Sequence, residues 1–564
     1  CVVLENGPKD GVRSHNFVGA ASCKNCLTDA VSAEGTTDCK VGTLVEHFAA
    51  NGDLWKLKGG SSLIDYGLSV FGLEEGLDLD GTNRLEGAAI DVGPWEYHKP
   101  ALGVALDAGT YEAFDRLETT LTATPEGDTE GVGYAWYLDA AAEPFAEGDA
   151  SSVPLVLDET CTCVVRVVVT NAAQAVASAE RTFTVRQGTY YVAEVNPNAE
   201  APYDTPAKAA TNIADAVALA DPGATVTIMN GTHRLKGQLD VGKAITLRGE
   251  SRDGAVIHGQ GATRGVVMTA VGAVLADLTV SDCRGTQNRT SSGVWMGAGT
   301  VMSNCVIRNC TTGNNNLGVG VRCENGRIYD SVITNNVGGH GTGFYLTGVN
   351  ALMCRTLVRG NRSSGVAGGG YSPLAAGGVL EDGEIRDCVI VGNSATPGSW
   401  SPPITAASVS GVLVKSGTMV SCTVVGNTFT MKEEEAEAYT EYSGAVACES
   451  GSIVNCLIAD NFGNGALVDN ALNGTRPSRY TTCCTSAIEN FPEGNISSVP
   501  GPVYRYSKRL GEYRLTQGSP CAGAGTWQTW MADAPDFYGR AWNPDRVDIG
   551  AAVYDCKGLL LMVK

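Results

Sequence analysis

Asp277, Asn304 and Asp330 occupy one position in three successive similar segments, and Arg308 and Arg359 share another. Oxygen donors beside guanidinium groups suit a calcium and arginine arrangement on a surface. The plainer reading is that these are polar residues favoured at turns and on exposed strand faces. The stretch "DLDGTN" at 78–83 offers a second oxygen set, Asp78, Asp80 and Asn83, with the look of a calcium loop. Its later counterpart, "DFYGRA", lacks one acid, so a structural calcium is the one metal the sequence suggests. His340 lies in "GHG" at 339–341, but the paired carboxylates of a glycoside hydrolase are missing, so it reads as a turn residue. Cys23 and Cys26 form one Cys-x-x-Cys with no His after it, which is not a haem site. No P-loop, serine-triad signature or HExxH occurs. No catalytic residue and no cofactor is therefore assigned.

The elements that would position these residues repeat. The segments "DLTVSDC", "NCVIRNC", "DSVITNN", "RTLVRGN", "DCVIVGN", "SCTVVGN" and "NCLIADN" end at Cys283, Cys310, Asn336, Asn361, Asn393, Asn427 and Asn461. Their upstream halves repeat too, as in "GVGVRCENGRIYDS" and "SGAVACESGSIVNC". Each unit reads as strand, Gly-containing turn, strand and Asn-ended turn. Alternation turns Cys305 and Ile307 inward and Val306 and Arg308 outward. One unit cannot bury its apolar side alone, but stacked coils can. Stacking puts Cys305, Cys388, Cys422 and Cys456 in one inward line, with Ser331 and Thr356 filling the same place, and Cys323 and Cys448 at a second offset. These read as packing thiols, although disulfides are an alternative. Asn336, Asn361, Asn393, Asn427 and Asn461 should form a buried amide stack at a bend where Asn tolerates left-handed angles. The sequon at Asn361 is read as part of that stack.

The pattern resembles the right-handed parallel β-helix of the pectate-lyase-like superfamily, over about residues 188–556. Its entry is similar as well: Thr205 as N-cap, Pro206 at the first helical position, then Ile213, Val217 and Ala220 on one face. In that superfamily such a helix plugs the open end. The resemblance also implies either a polysaccharide lyase with calcium-binding Asp residues and a basic residue, or a hydrolase. Of the motifs carried by related polygalacturonases, only "GHG" is present.

"GSPCAGAG", "DFYG" and "VDIGAAVY" near the C-terminus correspond to "GSSLIDYG", "DLDG" and "IDVGPWEY" within 57–97. Both sets resemble the terminal module of choice-of-anchor Q-type bacterial surface β-helices. "CVVLEN" at the start aligns with "CLIADN" at 456–461. The chain thus begins mid-coil, and further coils are expected upstream; a lipoprotein cysteine at Cys1 is the competing reading. Residues 98–187 alternate in short runs, with Trp136 in "YAWYL" and the long "VVRVVVTN" resembling the central strands of an immunoglobulin-like or PKD-type sandwich. The expected organisation is all-β: 1–97 the end of a first β-helix, 98–187 a sandwich, 188–556 a second β-helix, and 557–564 a tail.

With 61 acidic against 40 basic residues and a net charge of −21, the chain repels polyanions, which argues against nucleic acid as a partner. No apolar stretch is long enough to span a membrane. Two inserts rise from the regular coils, one exposing Trp400 and one carrying Glu433–Glu437. Tandem coils without a catalytic cluster lead to the expectation of a non-catalytic extracellular or cell-surface protein. Its expected partners are glycans, other surface proteins or further copies of itself, with a polysaccharide-degrading enzyme as the alternative.

Overall fold

The computed structural model describes residues 100–285, 291–312, 317–364, 375–396, 408–430, 443–470, 479–486, 492–497, 504–507, 512–516 and 518–554, with scattered positions between 2 and 91. The chain divides into two compact units, Cys1–Val185 and Arg186–Lys564.

In the first unit, Val2–Val3, Leu27–Thr28 and Lys40–Val41 pair in parallel, as do Cys23–Lys24 and Thr36–Thr37. Between 103 and 186 two antiparallel sheets, of three and five strands, enclose one core. Gly133–Leu138 pairs with Cys161–Thr170 inside the larger sheet. There Trp136, Val165, Val167, Val169 and Phe183 are buried, one residue in two along each strand.

The second unit is a parallel β-helix, right-handed as successive parallel crossovers are. Each full coil contributes four short strands in turn. The first and second walls are eleven strands each; the third and fourth are eight each. One coil runs Glu384–Arg386, Val389–Val391, Ser394–Thr396 and Ser408–Val414 through walls one to four. Strands lie in parallel register on the equivalent strand of the next coil, as Ile307 does on Ile333, Val358, Ile390, Val424 and Ile458. The exceptions among the described residues are a register shift between Val409 and Val412 in the fourth wall and the antiparallel return of Ala466–Leu467 on Phe462–Gly463 that ends the third. The interior is one continuous apolar column.

Corners are sharp because polar residues take left-handed angles there. Between the first and second walls Asp277, Asn304, Asp330, Arg355, Asp387, Ser421, Asn455 and Thr482 all have φ between 46° and 57°. Between the second and third walls the left-handed residue is Asp282, Asn309, Asn335, Gly360, Gly392, Gly426 or Asp460. The stacked Asn residues follow these and are not left-handed themselves, which corrects the expectation. Their role is bonding. The Oδ1 of Asn361, Asn393, Asn427 and Asn461 each accepts both the backbone N–H and the Nδ2 of the preceding coil's Asn, at 2.9–3.1 Å, and Asn336 Oδ1 accepts from Cys310 N at 3.0 Å. Each Nδ2 also donates to a carbonyl, as Asn393 does to Val358. The ladder ends on Asp469, whose Oδ1 accepts from Asn461 N and Nδ2 and whose Oδ2 accepts from Ser486 N.

The inward thiol line is present and its cysteines are free. Cys305, Cys388, Cys422, Cys456 and Cys483 each donate Sγ–H to the carbonyl two residues back, at 3.2–3.3 Å. Ser331 and Thr356 do the same with their hydroxyls. From Cys305 onward the position is filled by a small donor beside a left-handed corner, which is why Cys, Ser and Thr interchange there, whereas Leu278 fills it in the preceding coil. Burial pushes the Cys305 thiol up to about 12, which keeps its proton available to the carbonyl.

The entry helix, α1, spans Ile213–Leu219. Its N-cap is Asn212, whose side chain accepts from Ala214 N; Thr205 and Pro206 instead open a separate short turn, Pro206–Lys208, without a side-chain cap. The Pro at N1 was a real signal, but for this preceding turn. Ile213, Val217 and Ala220 are buried as expected and join the interior column at its first coils. Lys243 Nζ caps the last carbonyls of α1, Ala218 at 2.7 Å and Ala220 at 2.9 Å.

Candidate functional site

The sequence-derived calcium and arginine set does not converge on one site. Asp277, Asn304 and Asp330 do stack at one corner, but their oxygens are committed. Asp277 Oδ1 accepts from Asn304 Nδ2 at 2.8 Å and its Oδ2 pairs with Arg248 at 3.1 Å. Both Asp330 oxygens are held by Arg355, at 2.6 and 2.9 Å. Arg308 and Arg359 share an outward column on the second wall and stay exposed. Among the described residues no group of three or more His, Cys, Asp or Glu stands ready for a metal.

Of the 78–83 set, Asp78 is buried, and Asp80 and Asn83 lie outside the described residues. The later module shows what this acid does. Asp536, the counterpart of Asp78, accepts from the backbone of Tyr538, Arg540 and Val553. Asp548, the counterpart of Asp91, accepts from Gly523 and Tyr554. The two copies also share a turn bond of equal length: Leu63 N to Ser61 Oγ and Cys521 N to Ser519 Oγ, both 3.2 Å. The acids are pins for backbone N–H groups.

A chemically dense surface occurs elsewhere, on the outer face of the fourth wall. In register along it stand Asp240, Val267, Trp295, Arg322, Tyr345, Val379, Leu413 and Ala447. Arg322 binds Glu324 at 2.6 Å, and Trp295 Nε1 donates to the same Oε1 at 3.3 Å. The Arg322 guanidinium lies 5.9 Å from the Tyr345 ring centre. The Tyr345 hydroxyl donates to Glu381, which Lys415 also binds at 2.7 Å. His340 is buried with its ring centre 5.9 Å from that of Tyr345, so it belongs to this cluster as well as to a turn. Toward the first coils Arg264 donates to Gln238 Oε1 at 2.8 Å and to the Ser291 carbonyl. Toward the last coils Val379, Leu413 and Ala447 are buried on this outer face.

Burial alone would raise the Glu381 carboxyl, but hydrogen bonds from Lys415 and Tyr345 outweigh it and hold the group below its ordinary value. Burial lowers Arg264, opposed by Asp240 and reinforced by Arg322. The face therefore carries paired carboxylates, with Glu381 held ionised, and aromatic rings, a combination suited to gripping polar, ring-shaped ligands. Its residues lie in the strand of each coil that follows the third wall. Sequence reading singled out His340 here and passed over the others, because Trp295, Arg322 and Tyr345 differ in type; only their common offset relates them.

The connections joining the third wall to the fourth include Trp400 and Glu433–Glu437, which lie outside the described residues.

No family model and no curated protein matches the chain. Solved structures similar to it include pectate lyase Pel9A, with 11% identity over 65% of this chain and 96% of that one and a TM-score of 0.32. A Family 28 exopolygalacturonase of Yersinia enterocolitica is similar at 11% identity, covering 65% and 97%, with a TM-score of 0.19. The catalytic unit of a GH87 α-1,3-glucanase from Streptomyces thermodiastaticus gives 12% identity, 63% and 88%, and 0.19.

Proposed function

We propose that the β-helix is a non-catalytic binding scaffold whose fourth wall holds a glycan chain on its outer face, in an extracellular or cell-surface setting. The observation that carries this is the in-register column Trp295, Arg322 and Tyr345, flanked by Glu324, Glu381 and Lys415. Coils rising by about 4.8 Å present these groups as a ladder to an extended polymer. The carboxylates of this face favour binding over turnover, since Glu381 is held ionised and Glu324 is paired with Arg322. A general acid needs the reverse, a carboxyl raised toward neutrality. The sandwich at 103–186, read as an immunoglobulin-like spacer, and the repeated terminal modules fit a tandem surface protein that gains avidity from many weak contacts.

Titration calorimetry of the full chain with neutral and acidic oligosaccharides, with and without calcium, tests this. Trp295→Ala should weaken the best ligand about tenfold, the equivalent of about 1.4 kcal/mol, with no sugar product released. Unchanged affinity in Trp295→Ala and Tyr345→Ala would remove the face from consideration.

One observation favours a second reading, a polysaccharide lyase. Arg264 stands just before the fourth-wall strand Val266–Met268, bonded to Gln238 and the Ser291 carbonyl, and burial lowers its basicity. Steady formation of unsaturated products, abolished by Arg264→Ala, would establish it.

A further inference from the structure

Residues 518–554 dock laterally on the β-helix, against the outer face of the second wall. Val389, Val391, Val425, Leu457, Ala459 and Cys484 from the wall form one buried cluster with Cys521, Ile549 and Ala551 from the module. Polar bonds register the contact: Gly550 N to Asn455 O at 2.8 Å, Ala551 N to Thr423 Oγ1 at 3.0 Å, and Thr526 N to Asn455 Oδ1 at 2.8 Å.

We propose that Cys484 and Cys521 are a modification site, a thiol pair that oxidises to a disulfide and fastens this module covalently to the wall. Interior thiols also bond one another, Cys283 with Cys310 and Cys422 with Cys388 and Cys456, but among the described cysteines of the β-helix Cys484 and Cys521 are the pair that joins the wall to the docked module. The interior thiols sit at equal offsets on neighbouring parallel strands, where side chains run side by side about 4.8 Å apart and do not converge to the roughly 3.8 Å between Cβ atoms that a disulfide needs. Cys483 points into that interior and donates to the carbonyls of Ile453 and Thr481. Its neighbour Cys484 points the opposite way, into the docking cluster. Cys521 comes from a different element and lies in the same buried cluster, where the two thiols share a hydrogen bond. The Cys521 backbone is held at both ends, its N–H by Ser519 Oγ and its carbonyl by Ile549 N–H. Within the pair Cys521 is the thiol that more readily loses its proton, because Cys484 donates to it and Ser519 adds a second bond, against the effect of burial. The earlier copy of the module has Leu63 at this place, equally buried, so the site belongs to the second copy alone.

The co-reactant is a small disulfide such as oxidised glutathione. The Cys521 thiolate attacks one of its sulfurs; that S–S bond breaks and one glutathione thiolate leaves. Cys484, giving up its proton, attacks the Cys521 sulfur of the mixed disulfide and releases the second glutathione. The protein loses two electrons and two protons, and the glutathione disulfide gains them as two thiols. Gly518, Pro520 and Gly523 around Cys521 are exposed, so a local opening of this turn suffices for entry.

The test equilibrates the full chain in glutathione buffers from reducing to oxidising, blocks free thiols under denaturing conditions and maps cross-linked peptides by mass spectrometry. A Cys484–Cys521 peptide should be the first cross-link to appear. Proteolysis of the module should then slow roughly tenfold or more. Cys521→Leu, which copies the earlier module and keeps the site apolar, should fold and lose this redox dependence. Full alkylation of Cys484 and Cys521 in oxidising buffer, or an unchanged redox response in Cys521→Leu, overturns the proposal.

Discussion

Single side chains at two buried positions carry unusual weight. Asn393 makes four bonds in the ladder: its Oδ1 accepts from Asn361 N and Nδ2, and its Nδ2 donates to Val358 O and Asn427 Oδ1. Asn393→Ala strips partners from groups that water cannot reach, and denaturant unfolding should show a loss of about 3–5 kcal/mol. The five Asn were legible in the sequence because they share an offset. Asp469, the ladder's end, was not, since it lies only eight residues beyond Asn461 and breaks the coil spacing. Asp387 is the second position. It is fully buried at a corner with neither carboxylate oxygen bonded. Burial, with Cys388 and Asp536 adding to it and Arg386 and Arg355 opposing, pushes its carboxyl well above the ordinary range. A carboxyl raised in the folded state binds a proton that the unfolded chain gives up near pH 3.9. Its contribution to stability is complete below about pH 4 and is lost as pH rises through the folded value. Asp387→Asn mimics the protonated form, so the gap in stability between variant and parent should widen in the variant's favour from pH 4 upward. Asp548 is also raised, mainly by burial, but it remains in each protein and drops out of the difference. Asp536, raised mainly by burial and interacting electrostatically with Asp387, ionises more readily once the Asp387 charge is gone, which adds to the variant's advantage. Parallel pH profiles would contradict the assignment.

At the level of strands and corners, alternation read the inner face correctly, as Cys305 and Ile307 inside and Arg308 outside attest. What it could not give is the distance across the interior. The fourth-wall strands are entered through glycines at one offset, and a Cβ on Gly343 would stand 2.2 Å from the Gly377 carbonyl and 3.0 Å from Asn361 Nδ2. The ladder and this glycine line therefore fix each other's position, and the obstructing atoms are backbone and a bonded amide that cannot swing away. Gly343→Ala should cost about 2–3 kcal/mol and lower the melting temperature, whereas the same change at exposed Gly237, where a Cβ meets nothing within 4 Å, should be tolerated. Melting both variants separates the steric argument from a general loss of glycine flexibility. The candidate site stayed hidden for a related reason. Sequence comparison finds repeated types, and a binding face along stacked coils is built from residues that differ from one coil to the next.

The molecule as a whole divides where the composition of its strands changes, from the long antiparallel strands ending at Arg186 to the short parallel ones that begin at Thr189. Residues 186–564, expressed alone, should therefore fold. Calorimetry of that fragment should reproduce one transition of the full chain within a few degrees, and a fragment that fails to melt cooperatively would show that the second unit depends on the first. The repeat was readable at this scale because it is one-dimensional: each coil touches its neighbours, and spacing along the sequence maps directly onto position along the axis.

The lateral seat of residues 518–554 has a mechanical consequence. The hydrogen bonds between coils run along the β-helix axis, so a pull along that axis loads every coil-to-coil junction in series, and such a chain of links parts at its weakest one. The docked module grips the coils of Thr423, Asn455 and Cys484 together. It acts as a splint in parallel with those junctions, sharing the load over the last turns of the helix and moving the first rupture away from them.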